Sequence, residues 1–111
     1  MKIAIIGGNE QHFDVLDKEL DNLIEESGRY LFNVIGGYIG STKGRPPLSQ
    51  IWAKERGLPF TADEYKNIGD LIDGICTKAD YIIFLRDGSE LIDRFIKIYR
   101  NTGKHGSVIN I

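Results

Sequence analysis

Three short segments of the sequence combine glycine with polar side chains, as phosphate-binding loops do. They are GGNEQ at residues 7–11, GGYIGSTKGR at residues 36–45 and RDGSE at residues 86–90. Glycine permits positive φ and leaves backbone N–H groups uncovered by a Cβ atom, so such loops can bind an anion. Lys43 and Arg45 would add charge-assisted hydrogen bonds to a phosphate group. Together the segments predict a site for a ligand that contains phosphate or ribose.

The predicted site draws on glycines, small polar residues and a few charged side chains. Tyr38 lies between glycines, where an aromatic ring is available to stack on a base. A purely structural role stays open for each segment, because tight strand-to-helix turns also favour glycine. Neither a Walker phosphate loop nor a full G-x-G-x-x-G pattern is present. The predicted ligand-binding residues are Gly7, Gly8, Asn9, Gly36, Gly37, Tyr38, Gly40, Ser41, Thr42, Lys43, Arg45, Asp87, Gly88, Ser89 and Glu90.

Few residues suit catalysis. Cleavage of an N-glycosidic bond needs a carboxylate near the anomeric carbon, and Glu90 is the candidate, with Glu10 second. The favoured interpretation of Glu90 is a first-turn charge that stabilises a helix dipole. His12 and His105 lie in different loops without metal-ligand spacing, so we predict no metal site and no cofactor. The sequence therefore favours binding without catalysis.

The elements that would position these residues alternate between strands and helices. The order βαβαβαβαβ predicts parallel strands joined by right-handed crossovers. We therefore predict an α/β fold: a single Rossmann-like, doubly wound domain over residues 1–111, with about five mostly parallel strands and helices on both faces. Ligands of such sheets bind beyond the carboxyl ends of the strands, near the switch point. Strands are predicted at residues 2–8, 31–37, 58–60 (an edge strand, because of Pro59), 80–85 and 107–111, and helices between residues 13 and 28, 47 and 57, 68 and 76, and 89 and 103.

Composition restricts the partners and the compartment. The formal net charge is −2, which argues against nucleic acid as a partner. Cys76 is the single cysteine and no apolar run could span a membrane, so we expect a cytoplasmic protein without membrane association. Small domains of this kind often form homodimers through an apolar helix face, in which case Trp52 or Tyr99 would be interface residues.

The order of motifs resembles the SLOG superfamily, which includes the LOG phosphoribohydrolases, the DprA proteins and the small YspA and YpsA proteins. The similar segments are AIIGGNEQHFD, NVIGGYIGSTKG, SQIWAKERGLPF, KADYIIFLRDGS and TGKHGSVINI, which cover nearly the whole chain. The YspA-like branch resembles it most. A compact, diverged single domain of this kind suits a bacterial or a phage source equally well. Asn9 stands where that branch has arginine, and the P-G-G-x-G-T-x-x-E motif of the LOG enzymes is absent.

Three functional hypotheses follow from the residues and the resemblance. The first is a SLOG-type module that binds a nucleotide or a nucleotide-derived ligand, such as an ADP-ribose-like molecule, without catalysis. The alternative is a divergent LOG-like phosphoribohydrolase that acts on nucleoside monophosphates and uses Glu90. The third is an oligomeric structural or interaction protein that has the fold but binds no small molecule.

Overall fold

A five-stranded parallel sheet forms the centre of the structure, a computed structural model that describes residues 1–8, 10–28, 31–39 and 47–111. The strand order is β3-β2-β1-β4-β5, and every neighbouring pair is parallel. The predicted Rossmann-like, doubly wound α/β fold is confirmed. The strands are β1 (Lys2–Ile6), β2 (Asn33–Ile39), β3 (Phe60–Tyr65), β4 (Tyr81–Arg86) and β5 (His105–Asn110).

Local caps mark the end of α1 and both ends of α3. A left-handed Gly28 (φ 68°) ends α1, and the Asn67 side chain accepts a hydrogen bond from the Asp70 N–H (2.9 Å) at the start of α3. At the other end of α3, the Lys104 ammonium donates to backbone carbonyls, including that of Thr77 at 2.7 Å. The helices are α1 (Phe13–Ser27), which follows a 3-10 turn (Glu10–His12), α2 (Leu48–Glu55), α3 (Ile68–Lys78) and α4 (Glu90–Arg100). Among the described residues, no helix is long and apolar enough to cross a membrane.

The first two helices pack on one face of the sheet. Trp52 is fully buried there among residues of α1, β1 and β4. Its indole N–H donates to Asp17 Oδ1 (2.9 Å), and Arg56 Nε donates to the same oxygen (2.6 Å). The Asp17 carboxylate therefore joins α1 to α2.

The last two helices pack on the opposite face. Phe84 meets Phe95 and Tyr99 edge to face, with ring centroids 5.8 Å apart in both pairs. Burial raises the pKa of the Cys76 thiol to about 11, so this thiol is protonated at neutral pH. Tyr99 is only 3% exposed and Trp52 is 0% exposed. The prediction that one of these two rings lies in a dimer interface is therefore wrong, because both rings are buried in the protein's own core.

The strands differ from their predicted bounds. β1 ends at Ile6 rather than at residue 8, because Gly7 and Gly8 have positive φ, and β5 covers His105–Asn110 rather than residues 107–111. The second and third strands differ as well. β2 covers Asn33–Ile39 rather than residues 31–37, so Tyr38, which was predicted to follow the strand in a glycine-rich loop, belongs to the strand together with Gly36 and Gly37. β3 is an edge strand as predicted, but it begins at Phe60 and continues through TADEY instead of covering residues 58–60. The two strands pair over six positions, and this pairing outweighs the low strand preference of glycine, aspartate and glutamate.

Candidate functional site

The first two strands separate at the carboxyl edge of the sheet. Their pairing ends at Ala4 and Ile35. Beyond that pair, β1 continues beside β4 as far as Ile6, and β2 continues beside β3 as far as Ile39. A fork therefore opens between β1 and β2, next to the switch point of the sheet, which the strand order places between β1 and β4.

The backbone of Gly37 faces this fork. The Asn33 N–H donates to the Met1 carbonyl (2.9 Å), whereas the Val34 N–H donates to the Pro59 carbonyl (2.8 Å). Backbone groups alternate in direction along a strand, so the odd-numbered residues of β2 face β1 and the even-numbered ones face β3. The peptide groups of Gly37 thus point towards β1 at a position beyond the end of the β1–β2 ladder, where a ligand could use them.

A cleft of about 380 Å³ adjoins the fork on the face that carries α3 and α4. We call it the carboxyl-edge cleft. Ile68 (37% exposed) and Leu91 (46% exposed) line it from α3 and α4, so their apolar side chains lie at its mouth. Deeper walls include Leu71 and Phe95, and polar groups come from Ser49 and Ser89. The arrangement suits a ligand with an apolar ring and a few hydrogen-bonding groups.

The two glycines after β1 are required by close packing. Gly7 has φ 89°, and a Cβ atom there would lie 2.5 Å from the Leu85 carbonyl oxygen. Gly8 has φ 81°, and its Cβ would lie 2.3 Å from Leu85 Cδ1 and 3.1 Å from Leu48 Cδ2. Gly7 lines the carboxyl-edge cleft, whereas the space beside Gly8 is filled by residues of the α1/α2 face. Packing accounts for both glycines without a ligand.

The glycine pair in β2 makes room for two aromatic rings of β3. A Cβ atom on Gly36 would lie 3.1 Å from Phe60 Cζ. On Gly37 it would lie 2.6 Å from Tyr65 Cε2, and on Gly74 of α3 it would lie 2.3 Å from Tyr65 Cε1. The Tyr65 ring therefore fills a slot between β2 and α3. Only the peptide groups of Gly37, and not the space above its Cα, remain for a ligand.

The start of α4 is surrounded by the protein's own carboxylates. Asp87 Oδ1 accepts a hydrogen bond from the Ser89 N–H (2.9 Å), so this amide is already used. Glu90 and Asp93 lie in the first turn of the helix, where they complement its dipole. Arg86 Nε donates to Asp93 Oδ1 (2.7 Å), and this bond lowers the pKa of Asp93. These carboxylates repel a further anion, so this helix start is a poor place for a phosphate group.

The structure brings some of the predicted residues together at the cleft and separates others. Gly7, Gly36, Gly37 and Ser89 line it. Tyr38 lies on the opposite face of β2, because successive side chains of a strand alternate and the Gly37 position faces Leu71 of α3. The predicted residues that are described but do not line the cleft are Gly8, Tyr38, Asp87, Gly88 and Glu90. The predictions at Asn9, Gly40, Ser41, Thr42, Lys43 and Arg45, and at the side chain of Glu10, lie outside the described residues.

Sequence reasoning missed the apolar side of this site. Ile68, Leu71 and Leu91 have the helical spacing that is typical of core residues, so the sequence does not mark them as part of a site. The signal that could have revealed this apolar side is that Ile68 and Leu91 extend the apolar stripes of their helices into the first turn. These first turns lie at the carboxyl edge of the sheet. Ser49 carried a weaker signal, as a hydroxyl near the start of α2.

Comparison with known proteins shows few similarities. No family model matches the chain, and no curated protein is similar to it. Among solved structures, the chain is similar to the crystal structure of a protein from the universal stress protein family from Burkholderia pseudomallei. The identity is 14%, with 97% of this chain and 94% of that chain covered, and the TM-score is 0.48.

These findings correct the predicted resemblance to the SLOG superfamily. That resemblance, including the YspA-like branch, is wrong: no such family matches, and the structural neighbour carries a different family name. The glycine pairs that suggested it have local explanations, since Gly7, Gly36 and Gly37 accommodate neighbouring side chains and backbone. The similarity to the universal stress protein is too distant to place this chain in that family.

Proposed function

We propose that this protein binds a nucleotide or a nucleotide-derived small molecule in the carboxyl-edge cleft without converting it. The observation that carries the proposal is the fork between β1 and β2, which directs the Gly37 peptide groups towards a cleft beyond the carboxyl ends of the strands. Open α/β sheets bind their ligands at this edge. The volume of about 380 Å³ lies within the usual range for small-molecule sites.

The lining of the cleft indicates how such a ligand would lie. The side chains of Leu71, Leu91 and Phe95 offer apolar surface for the faces of a base. The Ser49 and Ser89 hydroxyls and the Gly37 peptide are available for its hydrogen-bonding edge or for ribose hydroxyls. The carboxylates around the start of α4 favour a pose in which a phosphate group points away from that helix. The base and the ribose would then supply most of the affinity.

Binding without catalysis is the function that the position of Glu90 favours. Glu90 is exposed at the start of α4 and does not line the carboxyl-edge cleft. A carboxylate that acts on a glycosidic bond must lie within reach of the anomeric carbon. In the phosphoribohydrolase alternative, a nucleoside monophosphate would release free base, and Glu90→Gln would abolish that release.

A thermal-shift titration tests the proposal. The panel is adenosine, guanosine, cytidine, their 5′-monophosphates and ADP-ribose, each up to millimolar concentration. A ligand at ten times its Kd stabilises a protein by about 1.4 kcal/mol, which is roughly 5 °C in Tm for a domain of this size. If no member of the panel shifts Tm, the proposal fails. Assays of the same samples for free base and ribose phosphate separate binding from hydrolysis.

A pair of leucine variants locates the binding site. Leu91 is 46% exposed at the cleft mouth, so Leu91→Ser removes apolar contact surface without opening the core. We expect it to weaken the best ligand of the panel about tenfold, the effect of losing one well-packed apolar contact. The matched control is Leu31→Ser, since Leu31 is 85% exposed and does not line the cleft. Equal affinities for the two variants would place the ligand elsewhere.

A cytoplasmic location and a homodimer also belong to this proposal. The single cysteine, Cys76, is a buried free thiol, and such a thiol is typical of a reducing compartment. Cell fractionation tests the location. Sedimentation velocity at micromolar concentration tests the dimer, and a monomer at every concentration would reject it.

A further inference from the structure

A basic groove runs between α4 and β5 on the α3/α4 face of the sheet. Its volume is about 690 Å³, and we call it the β5 groove. Three cationic side chains and one carboxylate, that of Asp93, line it, together with two amides and an apolar floor formed by Ile96 and Val108. The cations are Arg86, Lys97 and Arg100, and the amides are Asn101 and Asn110.

Within the described part of the chain, two of these cations lack an anionic partner. Arg86 is paired with Asp93. Among the described residues, no carboxylate lies within salt-bridge distance of Lys97 or Arg100. These two residues lie one turn apart on α4, so their charges act on the same stretch of the groove. In a chain whose net charge is −2, this local excess of positive charge marks a surface for an anionic partner.

The free edge of β5 borders this groove. In the described sheet, β5 pairs with β4 on one side only. The Ile111 N–H, next to the end of the strand, donates to the Arg86 carbonyl (3.0 Å), so odd-numbered residues here face β4. The peptide groups of Gly106, Val108 and Asn110 therefore face outward, as the open edge of a parallel sheet.

From these two features we infer that β5 binds an extended acidic peptide by strand addition. The outward peptide groups of Gly106, Val108 and Asn110 would form the new ladder. Alternate side chains of the added strand would point to the α4 side, where Lys97 and Arg100 receive carboxylates. The sequence class that fits is a segment with glutamate or aspartate at every second position and aliphatic residues between them.

Charge distinguishes this partner from a second copy of the chain. A twofold pairing of two β5 edges would bring two copies of the β5 groove close together. Lys97 and Arg100 of each protomer would then face the same pair in the other, and like charges at this spacing disfavour the pairing. An acidic strand meets no such repulsion.

The first test uses a labelled peptide. The probe is an end-blocked, fluorescein-labelled heptapeptide of alternating glutamate and valine, and its matched control has lysine in place of glutamate. We expect a saturable, salt-sensitive rise in anisotropy with the glutamate peptide alone. The variant Lys97→Glu with Arg100→Glu should weaken binding about tenfold. Lys18→Glu with Lys54→Glu makes the same charge change on α1 and α2 and should leave binding unchanged.

The second test addresses the strand geometry. Two versions of the glutamate peptide carry N-methyl groups at alternate residues, one version at the odd and the other at the even positions. Each version therefore lacks the backbone N–H donors along one edge of the extended peptide and keeps those along the other edge. We expect one to bind like the parent and the other not to bind. Amide exchange of Gly106, Val108 and Asn110 should slow when the parent peptide binds. Three results would overturn the inference. The first is equal binding of both methylated peptides, and the second is equal binding by the two double-charge variants. The third is amide protection that is already present in the protein without peptide and disappears when that protein is diluted, because a second copy of the chain would then cover the edge.

Discussion

A single tyrosine ring determines why two separated positions are glycine. The Tyr65 ring lies between Gly37 of β2 and Gly74 of α3, and neither site has room for a Cβ atom. Lys78 Nζ lies 5.5 Å from the ring centroid, and the same ammonium pairs with Asp63. The ring is therefore held on three sides, and it connects the edge strand β3 to the sheet and to α3.

We predict that Gly74→Ala lowers the free energy of unfolding by about 1–3 kcal/mol, the usual cost of overpacking. The new methyl group would lie 2.3 Å from Tyr65 Cε1, so the ring must move away from its slot. Urea unfolding measures the change. Gly69→Ala in the same helix is the control, because its Cβ would lie 3.3 Å from the nearest atom, Asn67 Oδ1. In the Tyr65→Ala background, Gly74→Ala should no longer destabilise the protein, and a cost that persists there would contradict this explanation.

The same ring shows the limit of reasoning from residue types. The sequence contains a glycine pair at residues 36–37. This pattern fits a backbone left uncovered for a ligand, and it fits equally well a backbone that makes room for a neighbouring side chain. Tyr65 lies 28 positions beyond Gly37 on another strand, and only the β2–β3 register brings the two together. Long-range register is set by tertiary packing, so the sequence could not decide between the two interpretations.

At the scale of elements, one carboxylate connects the two helices of the α1/α2 face. Asp17 accepts hydrogen bonds from Trp52 and Arg56, and the Arg56 guanidinium lies 5.9 Å from the centroid of the Phe13 ring. The hydrogen bond from Arg56 is the largest cause that lowers the pKa of Asp17, and the bond from Trp52 adds to it. The charged form of Asp17 therefore stabilises the folded state.

We predict that Asp17→Asn lowers the free energy of unfolding by about 0.5–1 kcal/mol at pH 7. This range allows for solvent screening, because the Asp17 side chain is 34% exposed. Its pKa is lower in the folded than in the unfolded state, where aspartate titrates near pH 3.9. The stabilisation is thus fully present above about pH 5 and is lost as the pH falls through the folded pKa.

Urea unfolding of the two proteins between about pH 7 and pH 3 measures this dependence. The difference in free energy of unfolding between the wild type and Asp17→Asn should become smaller in the acidic part of that range. Asp21→Asn is the matched control, since Asp21 is an exposed residue of α1 for which no hydrogen bond or ion pair is found among the described residues. A difference that stayed constant with pH would show that the carboxylate charge is not what joins the helices.

The sequence predicts the bounds of the helices more accurately than those of the strands. The helical stripes and the glycine stops at Gly28 and Gly57 are local signals, and both glycines have positive φ where the helices end. The outer part of β3 carries no such signal, because Asp63 and Glu64 are polar and exposed. It is a strand because β2 pairs with it over its whole length, and an edge strand needs no buried face there.

At the scale of the whole molecule, the sheet separates two cores. Leu16 and Trp52 belong to the core of the α1/α2 face, whereas Ile72 and Phe95 belong to the core of the α3/α4 face. The alternation of strands and helices predicts this layering, since right-handed crossovers place helices on both sides of a parallel sheet. The fork between β1 and β2 was not predictable, because it depends on where each ladder ends.

The two faces should respond differently to cavity-forming substitutions. Leu16 is fully buried on the face opposite the carboxyl-edge cleft, so Leu16→Ala should cost about 2–5 kcal/mol of stability and leave ligand affinity unchanged. Leu71 lines the cleft and is half-buried, so Leu71→Ala should cost less stability but weaken the ligand that gives the largest Tm shift in the nucleoside and nucleotide panel. Urea unfolding and calorimetric titration, carried out at a temperature where both variants are folded, measure the two quantities. If Leu16→Ala weakened the ligand as much as Leu71→Ala, the cleft would not be its binding site, because destabilisation alone would account for both losses.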